Sequence, residues 1–264
     1  MALTTFTYEQ IEGWFSSAFW PFLRIGACLM VAPMFSANYV PPRVRIVLAG
    51  ALTLVALPMI PKPQGLTLLS ADGVITTVQQ IVIGAALGFV LQLIFDAINF
   101  GGQVIANGMG LGLAFNIDPL LDVETPALGQ LYVMLGSLTF LALDGHLALI
   151  DTLVTSFRGL PVGSAGFAPE AMRSIAEWGD QLFGGALRIA LPGMTALLVV
   201  NLAFGAVSRA APSLNMFAIG LPVGLIFGLV VLFFGMPSMQ SGFIELIKST
   251  FRFMQALTGS GLGV

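Results

Sequence analysis

The residues able to do chemistry are few and widely scattered. His146 is the sole histidine and Cys28 the sole cysteine, so no set of Cys and His with metal-ligand spacing can be assembled. No serine, histidine and carboxylate are grouped as a nucleophile, base and orienting acid, and no close pair of carboxylates surrounds His146 in the stretch Asp144-Gly145-His146. This pattern argues against an enzyme and implies neither cofactor nor metal. The charges lodged within apolar stretches are Arg24, Asp96, Asp144, Arg188 and Arg209. Such charges are costly in lipid and turn toward a partner or water. Proton or ion relay is one use for them. The acids do not recur at i, i+3 or i+4 along one helix, which favours buried ion pairs between helices or subunits.

The most informative stretch runs Gly101-Gly102-Gln103-Val104-Ile105-Ala106-Asn107-Gly108-Met109-Gly110-Leu111-Gly112, then Leu113-Ala114-Phe115-Asn116-Ile117-Asp118-Pro119. Glycines can cradle a phosphate, but no β-α-β pattern surrounds these and no Lys-Ser/Thr pair follows. Two uses remain: a plain connection between helices, or a loop packed against a pore. Irregular backbone at membrane depth is tolerated only where protein buries it or it lines a watery cavity. As a plug, Gly108, Met109, Gly110, Phe115, Asn116, Ile117, Asp118 and Pro119 would form the gate, because apolar groups seal a conduit by dewetting.

Gly220, Gly224 and Gly228 recur at every fourth position, and Gly84 and Gly88 repeat the device. Glycines so spaced share one helix face, where a neighbouring backbone approaches closely. These are helix-packing positions.

The elements that must carry these residues are apolar helices. Charged residues make up 9 % of the 264-residue chain, against about 25 % in soluble domains. Hydrophobic residues make up 57 % and the mean hydropathy is +0.95, so lipid, partner subunits or both must cover the excess apolar surface. A bilayer core asks for roughly 20 apolar helical residues. Uncharged windows of that order lie at 74–95, 126–143, 189–208 and 210–244. Weaker segments at 13–35 and 44–60 are bounded by prolines, and 243–257 reads as an amphipathic piece. The polar interruptions are 99–125 and 151–180.

The net charge of −3 with no basic run excludes the electrostatic footprint of a nucleic-acid binder. The first residues carry acids and no Lys or Arg, unlike the start of a signal peptide, so the first apolar segment is expected to be retained. With six spans, Lys62, Arg158, Arg173, Lys248 and Arg252 fall on one side and Arg43, Arg45 and Arg209 on the other. That near balance sets no orientation and suggests that the segments are not simply threaded through lipid one after another.

Several motifs recur in a telling order: Arg24 through Pro33, Val40-Pro41-Pro42-Arg43-Val44-Arg45, Gly101-Gly102-Gln103 with Asp118-Pro119, Gly145-His146, Ser156-Phe157 with Pro161-Val162-Gly163, Arg188-Ile189-Ala190-Leu191-Pro192, and Arg209-Ala210-Ala211-Pro212 leading into Gly220-Leu221-Pro222. With them the chain resembles, over nearly its whole length, the export-gate FliR family of bacterial flagellar type III secretion, whose relatives serve in virulence injectisomes. The resemblance implies an all-α fold of membrane-type helical hairpins in a pore-forming hetero-oligomer. Residues 1–175 would be FliP-like, with the plug loop at about 101–125. Residues 176–264 would be a FliQ-like helical hairpin with a C-terminal amphipathic segment. It further implies FliP and FliQ as partners, the export proteins FlhB and FlhA nearby, and unfolded secreted proteins as cargo. The setting would be the bacterial inner membrane at the flagellar basal body. The competing expectations are a virulence-type gate subunit and a small secondary transporter; the latter calls for paired, inverted halves, which the sequence does not display.

Overall fold

The computed structural model describes residues 8–36, 40–61, 67–68, 70–111, 127–164, 166–210 and 216–259. Among these, every regular element is helical: α1 (Tyr8–Val31), α2 (Pro42–Ala56) with a 3₁₀ turn (Leu57–Met59), α3 (Ala71–Gly108), α4 (Ala127–Ala142), α5 (Gly145–Gly159), α6 (Pro169–Glu177), α7 (Asp180–Ala210) and α8 (Met216–Leu257).

Local chemistry sets several of the helix ends. Pro42 opens α2 at its first helical position, where a missing N–H costs nothing. The Ser70 hydroxyl caps α3 by accepting the Gly73 N–H at 3.0 Å. Asp144, left-handed at φ 55°, separates α4 from α5. The piece at 243–257 continues α8 without a break, the helix running through Pro237 and Gly242.

Two compact units share the chain. One comprises 1–92, 144–178 and 249–264; the other comprises 93–143 and 179–248. The first is built on α1, α2, the opening half of α3, and α5. Trp20, Ile25, Leu29, Ala49, Ala56, Ile60, Phe157 and Val162 form its core. Within it α1 and α3 run parallel: Trp20 donates to Thr77, Gly84 lies against the Arg24 carbonyl, and Gly88, four residues on, lies against the Cys28 carbonyl four residues on.

In the second unit the closing half of α3 is enclosed by α4, α7 and α8. Phe95 packs edge-on against Phe140 and Phe243, with centroids 5.6 and 5.3 Å away. Glycines set the helix spacing. Gly102 meets the backbone of Gly129, and Gly101 that of Ala186.

Among the described residues, four helical stretches are long and apolar enough to cross a membrane: Pro42–Met59, Ala71–Gly108, Pro169–Ala210 and Pro222–Leu257. The broken pair α4–α5 makes a fifth if counted as one span. Their burial differs sharply. The apolar window of α3 is 61 % buried, whereas those of the 169–210 and 222–257 stretches are 22 % buried. Thus α3 is a core helix, and α7 and α8 turn apolar surface outward.

Candidate functional site

Two places in the fold are built from polar or irregular groups among apolar ones. The first, in the first unit, is Arg24, which is fully buried. Its Nε donates to Gln80 Oε1 at 2.8 Å, Nη1 to Ser156 Oγ at 3.1 Å and Nη2 to the Leu160 carbonyl at 2.7 Å. The guanidinium also lies 4.0 Å from the centroid of the Phe157 ring, close enough for a cation–π contact. The Ser156 hydroxyl donates its own hydrogen bond to the Leu153 carbonyl at 2.6 Å, which orients its oxygen lone pairs toward the guanidinium. The fork geometry of arginine therefore ties α1 to α3 and to both α5 and the turn after it. These partners are neutral, where the sequence suggested a carboxylate.

The other charged candidates are placed differently. Asp144, Arg188 and Arg209 are exposed, so within this chain none forms the buried ion pair expected. Each is left exposed by the described residues. Asp96 is half-buried on α3 and engaged by a neighbour. His146 lies in the first turn of α5, and its buried Nδ1 finds no hydrogen-bond partner among the described residues.

The second place, in the second unit, is the end of α3. The glycine-rich stretch was expected to be a loop from 101 onward; in the structure α3 continues to Gly108. Tertiary packing overrides the weak helix propensity of glycine here, since Gly101, Gly102 and Gly108 each admit a neighbouring helix that a side chain would displace. The helix then ends in a Schellman motif. The Leu111 N–H bonds the Ala106 carbonyl, the Gly110 N–H bonds the Asn107 carbonyl, both at 3.0 Å, and Gly110 takes φ 84°, the left-handed position that glycine fills without penalty. Gly110 is therefore the helix stop.

Met109, just before that stop, is 3 % exposed. Its side chain presses on the bare face of Gly228, and its carbonyl faces Gly224. Gly220, one step further along α8, has nothing within 4 Å. Asn201 on α7 donates its side-chain amide to the Gly108 carbonyl at 3.3 Å. Beside this contact lies a cleft of about 490 Å³ lined by Asn107, Gly108, Met194, Thr195 and Asn201 among apolar neighbours. Phe115, Asn116, Ile117, Asp118 and Pro119 lie outside the described residues.

Sequence reasoning missed Gln80 and Asn201. Asn201 is a lone amide within an apolar helix, and that oddity was the available signal; Gln80 is one of several amides along α3 and carried none. Among the described residues no group of three or more His, Cys, Asp or Glu could hold a metal ion.

Long apolar helices, glycine-tightened bundles and a buried cation held by neutral groups define an all-helical protein of membrane type. The chain belongs to the bacterial export proteins, family 1, whose family model matches residues 15–250. It is similar to the flagellar biosynthetic protein FliR of Escherichia coli strain K12, with 38 % identity over 231 residues that cover 88 % of each chain. The FliR of Pectobacterium carotovorum subsp. carotovorum is 36 % identical over 87 % of this chain and 88 % of its own. That of Bacillus subtilis strain 168 is 29 % identical over 80 % and 82 %.

Proposed function

We propose that this chain is the FliR-type subunit of a flagellar type III export gate in the bacterial inner membrane. Together with FliP- and FliQ-type subunits it completes a pore through which unfolded flagellar proteins pass. The observation that carries this reading is the family match across 15–250 to relatives named as flagellar biosynthetic proteins. Two features of the chain support it. The outward apolar surfaces of α7 and α8 need covering by lipid or other subunits, and Arg188 and Arg209 are exposed among the described residues and so open to groups on other subunits.

In this reading residues 1–175 play the FliP-like part and 176–264 the FliQ-like part. The segment from Gly108 to Pro119 is the plug. Met109 seats against the glycine face of α8 and Asn201 holds the last carbonyl of α3, so the plug hangs from a fixed root. Apolar plug residues exclude water when the gate is idle and yield to a threading polypeptide. The chain makes and breaks no covalent bond. Energy for transport comes from other components.

Deleting the gene for this chain in its own host tests the reading. Export of filament subunits into the medium should stop and return on complementation. Normal export in the deletion strain would overturn it.

A further inference from the structure

We infer that the uncovered face of α3 in the second unit, formed by Asp96, Asn99, Gln103 and Asn107, lines an aqueous conduit and meets the polypeptide that passes along it. This lining presupposes the export-gate reading and names the wall that the subunit contributes to the pore. From Leu93 to Gly108 the residues sort cleanly by burial. Every buried one is apolar or glycine, and every polar one is left half-buried or exposed. The four polar residues recur at steps of three, four and four, so they share one side of the helix over about three turns.

The chain holds this face in shape without covering it. Gln103 Nε2 donates to Asn99 Oδ1 at 3.2 Å. Gly129 of α4 makes room for the pair, since a Cβ there would overlap Asn99 Oδ1. Asp96, which a neighbour engages, extends the face by one turn. The other sides of α3 are closed by α4 at Gly102, by α7 at Gly101 and by α8 at Met109.

What stands at the same level on α8 decides what the polar face meets. This helix runs past α3 from Gly228, beside Met109, to Phe243, beside Phe95. Phe233 and Phe234 fall between those two contacts, level with Gln103 and Asn99, and are 71 % and 75 % exposed. No single medium suits both faces. Water is a poor neighbour for two bare phenylalanines, whereas hydrocarbon or an apolar subunit would bury amides whose donors and acceptors are used only in part. Apolar surroundings therefore belong on the α8 side and water on the α3 side, which bulk solvent around the whole unit could not provide. A polar subunit face would have to match these donors and acceptors in fixed geometry; water meets them in any. The residue types suit a polypeptide in transit. An amide side chain both donates and accepts, so it exchanges hydrogen bonds with peptide groups of any sequence, and α3 carries no Lys or Arg to hold acidic segments back.

Single cysteines in the assembled complex test the lining, in membrane fragments open to reagent from both sides. Cys28 is fully buried, and the unsubstituted chain supplies the background. A charged methanethiosulfonate should modify Asn99→Cys and Gln103→Cys at least about tenfold faster than Phe233→Cys, since each pKa unit that an apolar setting adds to a thiol cuts its reactive thiolate tenfold. Rates no faster than at Phe233→Cys would overturn the inference. A photo-crosslinking residue in place of Gln103 gives a second readout, in cells whose export is stalled by a cargo with a folded tail. A cargo adduct is expected there, and adducts to neighbouring subunits alone would overturn the lining. Native mass spectrometry of the same complex keeps the two readings apart. Partners of FliP and FliQ type with a dry α3 face would count against the lining alone, and a wet face with those partners absent would count against the gate alone.

Discussion

Arg24 shows how one side chain can hold a unit together. An arginine at the centre of a membrane helix costs about 2.5–3.5 kcal/mol on insertion scales. Hydrogen bonds to a charged group return about 1.5–3 kcal/mol each, and Arg24 makes three of them. The balance favours burial without a counter-ion. Arg24→Ala should therefore lower the stability of the detergent-solubilised protein by at least about 3 kcal/mol, through the cavity and the three acceptors left unpaired. Unfolding monitored by helix content measures this, and a loss below about 1 kcal/mol would contradict the role. Arg24→Lys should fall between the two, since a single ammonium cannot span the fork. The sequence marked Arg24 as an anomaly but not its partners, because Gln80 and Ser156 stand 56 and 132 residues further along the chain. Only the parallel packing of α1 on α3, with α5 alongside, brings them to it.

Helices meet here on glycine, but not every glycine on a shared face is used alike. A Cβ at Gly84 would overlap the Arg24 carbonyl, and one at Gly88 would stand 2.7 Å from the Cys28 carbonyl. Backbone cannot yield as a side chain can. Gly84→Leu should separate α1 from α3 and destabilise the chain by about 2 kcal/mol or more. Gly220→Ala, with nothing within 4 Å, should be neutral or gain up to about 1 kcal/mol from helix propensity. Unfolding midpoints of the two variants check the contrast, and similar losses at both positions would refute it. Legibility followed the same division. The four-residue spacing announced both glycine faces, yet only packing distinguishes the occupied positions from the open one. The stretch at 101–108 misled because glycine's low helix propensity is a local signal, while the contacts that hold it helical come from α4 and α7. Since α3 ends at Gly108 and is capped by Gly110, shortening the chain within 111–119 should spare the fold and make membranes containing the assembled complex leak small ions. Asn201→Ala, which frees the Gly108 carbonyl, should raise the leak by a smaller amount. Tight membranes around a correctly assembled deletion variant would remove the plug assignment.

At the scale of the whole molecule, composition carried the fold class. Nine per cent charge leaves no means of building a soluble surface, and the described residues answer with helices alone. The weaker segments at 13–35 and 44–60 are also helices, bounded near the prolines that were expected to stop them. What composition could not supply is which apolar surfaces close on this chain and which remain for others, because every apolar helix looks alike in hydropathy. The structure separates them: α3 is enclosed, whereas α7 and α8 expose Leu198, Leu202, Phe233 and Phe234. If those faces are subunit contacts, this chain is incomplete by itself, and that is the central claim. Native mass spectrometry of the complex extracted gently from its host membrane tests it most directly. One copy of this chain with several copies of two other small helical membrane proteins, of FliP and FliQ type, is the expected composition; a lone monomer or a homodimer would contradict the claim.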